Sequence, residues 1–342
     1  MIIPILLFIV GLVLLIKGGD WFVDGATGIA RRFHLPEILI GATVVSIGTT
    51  LPEVMVSAGA ALGGSGEMAY GNAIGSIICN TSLIAAITIA VKPCKVEKRS
   101  LILPSLFLTG AAAFYVAISY ITGSFDRWVG ISLLSIFAIY MTVTVVNMLK
   151  SPKEEIEVAE IESKPENEEK LPFKKELWAQ IRGQRTSVIR ELILLVIGAV
   201  VIAFGADFLV DNGTIIAKEL NVPESVIALT FVALGTSLPE LVTAITSLIK
   251  GHGALSLGNI IGANLFNLVL VSGAAITISP FNVPSSSTLF GMNASLVLDI
   301  PVMLAVSAIL LIPTLIRGKL SRVQGISLLT IYAAFCTIQF IM

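Results

Sequence analysis

Charge is scarce in this chain. Only 13% of its 342 residues are Asp, Glu, Lys or Arg, about half the share of a soluble domain, and that excludes a soluble reading. The formal net charge of −1 does not point to any class of partner, and nothing in the sequence calls for nucleic acid. Cysteines are few. Cys79, Cys94 and Cys336 have neither metal nor redox spacing and imply no disulfide framework. There is no nucleophile–base pair and no metal–histidine motif, so neither an enzyme nor a cofactor is expected. No basic stretch precedes the first apolar run, which therefore reads as a first membrane span and not as a cleaved signal peptide.

What is abundant is apolar sequence: 55% hydrophobic residues and a mean hydropathy of +0.93. Crossing about 30 Å of hydrocarbon takes about 20 apolar residues. Stretches of that kind fall near 2–23, 37–62, 70–91, 101–121, 127–149, 189–211, 224–249, 257–278, 288–312 and 322–341. Ten spans are predicted, five on each side of a hydrophilic connection at 150–188.

The two halves repeat each other at a constant offset of 187 residues. GTTLPE at 48–53 answers GTSLPE at 235–240, and GNAIGSIICN at 71–80 answers GNIIGANLFN at 258–267. Asp20 and Asp24 answer Asp207 and Asp211, and Pro36-Glu37 answers Pro223-Glu224. Such a constant offset means duplication of a whole unit. With five spans per half, the second copy enters from the opposite side, so the repeats are expected to be inverted. The basic residues agree. Of 22 lysines and arginines, Lys17 lies inside span 1, Arg127 and Lys218 fall in connections after even-numbered spans, and the rest follow odd-numbered spans. The positive-inside rule places those odd connections in the cytoplasm and both termini outside.

The connection splits in two. Residues 151–170 hold eight glutamates between 154 and 169 and read as a solvated linker. Residues 171–185 mix Leu171, Phe173, Leu177, Trp178 and Ile181 with basic residues, which suits a helix at the lipid surface. The predicted units are 1–149, 150–188 and 189–342, in an all-α membrane protein of two inverted five-helix repeats with broken helices 2 and 7 at its core.

Each repeat puts a glutamate in mid-membrane. Burying Glu53 and Glu240 costs about 2.5–3.5 kcal/mol each on the mild insertion scales, so each marks a functional site. Pro52 and Pro239 each remove a backbone donor, and Gly48 and Gly235 loosen the helix before them. Breaks are therefore expected near 46–50 and 233–237. Carbonyls freed beside a carboxylate suit hard cations such as calcium, which takes 6–8 oxygens. Gly71, Gly75, Gly258 and Gly262 permit close helix approach, and Ser76 with Asn80, like Ala263 with Asn267, share a helical face. Asp20, Asp24, Asp207 and Asp211 read as interface or entry-path residues, His34 and His252 as solvated, and Asp299 has no assigned role.

At these motifs the chain resembles the sodium/calcium exchanger branch of the cation/calcium exchanger superfamily, over nearly its whole length outside 150–188. The resemblance implies ten helices in two inverted halves with ion sites between spans 2, 3, 7 and 8. It implies calcium at Glu53 and Glu240 with the main-chain carbonyls of Thr49 and Thr236. It implies sodium with Ser46, Thr50 and Ser76 and a second sodium with Ala233 and Ser237, with Asn80 and Asn267 lining the middle. Two positions depart from the pattern. Asn267 stands where many relatives have aspartate, which argues against potassium co-transport. Ala263 stands where a serine would face the second sodium, and Asn264 beside it is the candidate to compensate. The function implied is sodium-for-calcium antiport by alternating access, electrogenic at three sodiums per calcium, in the plasma membrane, by a protein working as a monomer. The rivals are a calcium/proton exchanger and, less well supported, a channel or sensor.

Overall fold

The computed structural model describes residues 2–33, 35–150, 173–220, 235–285 and 287–341. Among these, nine helices are long and apolar enough to cross a membrane. In chain order the helices are α1 (Ile2–Arg32), α2 (Glu37–Leu62), α3 (Gly66–Val91), α4 (Lys98–Ile121), α5 (Arg127–Lys150), α6 (Phe173–Glu219), α7 (Leu238–Ile249), α8 (Gly253–Ile278), α9 (Ser295–Arg317) and α10 (Arg322–Ile341). Only α7 is short, at 12 residues, and the residues that would extend it, 221–234, lie outside the described set. The acidic linker at 151–170 lies outside it too. α6 is a single 47-residue helix that takes in most of the basic 171–185 segment; no proline interrupts it.

Burial shows which helices are central. The apolar window of α8 is 83% buried, whereas those of α1 and α10 are 22% and 17% buried. On α1, Ile2, Leu6, Ile9, Val13 and Ile16 are exposed, and on α6 Ile189, Ile193, Val196, Val200 and Phe204 are exposed. Such apolar faces suit lipid. The inner faces of α1 and α6 meet through glycine. A Cβ on Gly18 would stand 2.9 Å from the Ile202 nitrogen, and one on Gly198 would stand 2.5 Å from the Phe22 nitrogen. Gly11 meets Gly205, Gly18 meets Gly198, and Gly25 meets Glu191, so the two helices, equivalent in the repeat, run antiparallel.

The connections sort by parity. Val96 N–H donates to the Gly318 carbonyl and Leu320 N–H to the Cys94 carbonyl, both at 2.9 Å, joining the links that follow spans 3 and 9. Lys250, after α7, reaches Asp24 at 2.8 Å and Asp20 at 3.3 Å near the end of α1. Glu37 and His252 pair at 2.7 Å on the same side, so His252 is partnered and half-buried where the sequence suggested a solvated residue. At the other end, the strand Ser124–Phe125 pairs antiparallel with Phe281–Asn282, joining the links after spans 4 and 8.

The α-helical ladder widens to π geometry at Gly41–Val45, Asn80–Ala85, Asn267–Val271 and Ser295–Asp299. The second and third begin at residues 187 apart. π turns commonly mark functional positions.

Here the structure corrects one expectation. Helix 2 does not break at 46–50: residues 46–62 are continuous α-helix with Pro52 inside it. The irregularity lies a turn earlier, at 41–45, because side chains there take up the loosened carbonyls. Thr43 Oγ1 donates to Leu39 O at 2.7 Å, Ser46 Oγ to Gly41 O at 2.7 Å, and Tyr140 Oη to Ala42 O at 2.9 Å. Pro52 removes only the bond its N–H would make to the Gly48 carbonyl, and the helix runs on through it. In the second half a turn does stand at 235–237, and α7 starts at Leu238 with Pro239 in its first turn, where the missing N–H is of no consequence.

Candidate functional site

Two crossings shape the site. α2 and α8 approach through glycine: a Cβ on Gly258 would lie 2.2 Å from Ile38 O, one on Gly41 would lie 2.4 Å from Leu255 O, and one on Gly262 would lie 2.3 Å from Ser46 Oγ. α3 and α7 bring the partner segments. The polar residues around the crossing are buried.

Glu53 on α2 and Glu240 on α7 are both fully buried. They lie close enough for the charge on Glu240 to act on Glu53, and Thr49 and Thr50 of the first half stand beside Glu240. None of the four carboxylate oxygens has a hydrogen-bond partner of good geometry among the described residues. The same is true of both amide atoms of Asn80 and of Asn267, and of the hydroxyls of Thr50 and Ser237. Unsatisfied polar atoms in hydrocarbon cost several kcal/mol each, so such a concentration would suit ions or water as partners. Among the described residues there is no cluster of three or more His, Cys, Asp or Glu. The arrangement instead offers two carboxylates with neutral oxygens around them, a donor set for hard cations.

The remaining predicted residues fall as follows. Ser46 is buried, and its hydroxyl is shared between Gly41 O and Asn259 O, the latter at 3.0 Å. Ser76 is buried on α3. Thr49 and Thr236 are both in hydrogen bonds across the halves, described next. Ala233 lies outside the described residues, as does His34. Ala263 is fully buried. Asn264 donates through Nδ2 to Thr81 Oγ1 at 2.6 Å, while its Oδ1 has no partner among the described residues. Asp299 accepts from Gln339 Nε2 at 2.8 Å, which ties α9 to α10 and gives that carboxylate an anchor away from the site. Cys79 is buried beside Asn80, and its thiol is free.

Sequence reasoning did not single out Asn72 and Asn259. Thr236 Oγ1 donates to Asn72 Oδ1 at 3.3 Å, and Thr49 Oγ1 donates to Asn259 Oδ1 at 3.2 Å. Each bond runs from one half to the other. The available signal was the second position of each GN motif, present in both copies at the same offset.

A bundle of apolar helices around two buried carboxylates and a ring of neutral oxygens defines a membrane protein that handles hard cations. Comparison with known proteins gives the family. The family model described as "Sodium/calcium exchanger protein" matches residues 3–146 and 190–341, and this chain belongs to that family. It is 34% identical to an uncharacterized membrane protein of Methanocaldococcus jannaschii, over 95% of this chain and 94% of that one. It is 28% identical to the sodium/calcium exchanger MaX1 of Methanosarcina acetivorans, over 98% of each. A solved structure of the sodium-calcium exchanger NCX_Mj, soaked with sodium and strontium, superposes with a TM-score of 0.76 at 31% identity, covering 98% of both chains. The resemblance read from the paired GTTLPE and GTSLPE motifs, the all-helical multi-pass fold and the exchanger class are thereby borne out.

Proposed function

We propose that this protein is a secondary active antiporter that moves calcium against sodium through one site, opened in turn to each side of the membrane. The observation that carries it is the pair of fully buried carboxylates, Glu53 and Glu240, without a hydrogen-bond partner of good geometry among the described residues and contributed by equivalent positions of the two halves. Two carboxylates neutralise one calcium. The residues suited to hold it are Glu53 and Glu240 with the carbonyls of Thr49 and Thr236. Ser46, Thr50 and Ser76 suit one sodium and Ala233 with Ser237 a second, while Asn80 and Asn267 line the middle. Three sodiums in place of one calcium would carry one net charge inward per cycle, worth about 2.3 kcal/mol per 100 mV, so a negative-inside potential favours calcium export.

The halves, residues 1–149 and 189–342, are inverted repeats in this reading, supported by the antiparallel run of α1 against α6. The plasma membrane is the setting, with both termini outside and 150–188 in the cytoplasm. The parity of the touching connections and the placement of basic residues support that topology. A single chain brings both carboxylates together, which supports function as a monomer.

The test is calcium uptake into proteoliposomes loaded with sodium, potassium or choline, with voltage clamped. Calcium entry that requires internal sodium is expected. Because Asn267 offers no charge for a second cation, replacing potassium by choline on both sides should leave the rate unchanged within about twofold. Entry driven by a proton gradient alone would favour the calcium/proton rival, and a severalfold fall without potassium would overturn the reading of Asn267.

The second sodium site gives a further prediction. Ser76 and Ala263 are equivalents, but only Ser76 has a hydroxyl. Ala263→Ser should lower the sodium concentration for half-maximal exchange. One added neutral ligand is worth about 1 kcal/mol, or roughly fivefold in one site's affinity, and less in the overall requirement because several sodiums bind. An unchanged sodium requirement would show that Asn264 Oδ1, buried and unbonded among the described residues, already fills the place.

A further inference from the structure

Asn72 and Asn259 hold the same relation to the site, one in each half. On the oxygen side, Asn72 accepts the hydroxyl of Thr236 and Asn259 accepts that of Thr49. These are the threonines whose main-chain carbonyls the calcium reading uses. Thr49 and Thr236 are 187 residues apart, and so are Asn72 and Asn259, so a single device occurs twice, each time bridging from one half to the other.

On the nitrogen side the two differ. Asn72 Nδ2 donates to Ser57 Oγ at 2.8 Å and to the main-chain carbonyl of Glu53 at 3.2 Å. Asn72 thus grips the helix that carries one carboxylate and the threonine two residues before the start of the helix that carries the other. Asn259 Nδ2 has no partner among the described residues. The reason is in the sequence: the position equivalent to Ser57 is Ala244, which has no hydroxyl. Asn259 keeps its grip on the first half through oxygen alone, with Thr49 Oγ1 on its side chain and Ser46 Oγ on its carbonyl.

We infer that Asn72 and Asn259 are positioning residues of the ion site: each fixes a calcium-facing threonine of the opposite half, and Asn72 alone also fixes a carboxylate helix. Neither amide needs to touch the ion. The two halves then differ in stiffness at equivalent places, with Glu53 held through its own carbonyl and Glu240 lacking that tie. The inference rests on the exchanger reading of the site.

Thr236→Val and Thr49→Val remove the hydroxyl, keep the shape and leave the main-chain carbonyl in place, while Thr→Ser at either position keeps the hydroxyl. With the purified full chain, calcium binding is measured by equilibrium titration and sodium-driven calcium flux in proteoliposomes. Each valine variant should raise the calcium concentration for half-saturation about fivefold, the weight of one hydrogen bond, and each serine variant, which keeps the hydroxyl, should recover most of that loss. Asn72→Ala, which loses the carboxylate helix as well, should exceed Asn259→Ala. Thr236→Val combined with Asn72→Ala should be no worse than Asn72→Ala alone, whereas Thr236→Val with Asn259→Ala should multiply, because the two ties are separate.

A merely structural role would lower the melting temperature and leave half-saturation where it was. That result, or multiplication within the same pair, overturns the inference while leaving the exchanger intact. Coupling seen in binding, in a wild-type protein that shows no sodium-driven flux, would uphold the positioning role and overturn exchange instead. A wild-type protein that binds no calcium would overturn both.

Discussion

Glu53→Gln and Glu240→Gln are each expected to abolish sodium-driven calcium uptake. Glutamine keeps the size and both polar positions of the side chain but removes a charge, so calcium would enter the buried site with one positive charge uncompensated. Leaving one member of a buried charge set without its partner costs about 3–5 kcal/mol, which is about two to four orders of magnitude in affinity. Both residues are fully buried, and neither has a hydrogen-bond partner of good geometry among the described residues. The two losses should be of similar size, because the residues occupy equivalent positions. Radioactive calcium uptake into sodium-loaded proteoliposomes, normalised to inserted protein, is the measurement. A rate within threefold of wild type in either variant would rule out a site that needs two carboxylates.

Gly262→Ala should disable the protein by a different route. The added Cβ would lie 2.3 Å from Ser46 Oγ and 2.6 Å from Ala42 Cα. The second contact is with backbone, so α2 and α8 must separate. Overpacking of this kind costs about 1–3 kcal/mol. Here it also dislodges the Ser46 hydroxyl from Gly41 and Asn259, and with it the wide turn at 41–45. A lower melting temperature together with loss of flux is expected. Gly59→Ala is the control: Gly59 is exposed on α2, a Cβ there meets no described atom within 4 Å, and alanine is the better helix former. Equal melting temperatures and fluxes for the two variants would remove the close crossing from the account.

Particular residues show how far the sequence reaches. Glu53 and Glu240 were legible because a carboxylate in hydrocarbon has few structural reasons to be there, and their shared offset paired them before any geometry was known. Gly258 and Gly262 were legible as points of close approach, though not which helix they meet. Helix 2 was misjudged by one turn. Its proline and glycine announce a weakness, but the place where it yields depends on Thr43, Ser46 and Tyr140 supplying donors to three carbonyls. Tyr140 lies on α5, far away in sequence. Asn72 and Asn259 escaped notice because an amide in a glycine motif says nothing of its partner, and the threonine each one holds comes from the other half.

By itself, then, the sequence determined the membrane solvent, the span pattern, the duplication and the two carboxylates. All of these follow from composition, period and offset, which are properties of local stretches of chain. Only the tertiary structure decided that α8 lies at the centre with α1 and α6 against lipid, that the π turns fall where they do, and that Thr49 meets Asn259 while Thr236 meets Asn72. Those outcomes depend on which donors and backbones come together when helices from the two halves cross, and a hydrogen bond between residues 210 or 164 positions apart leaves no mark in the local order of the chain.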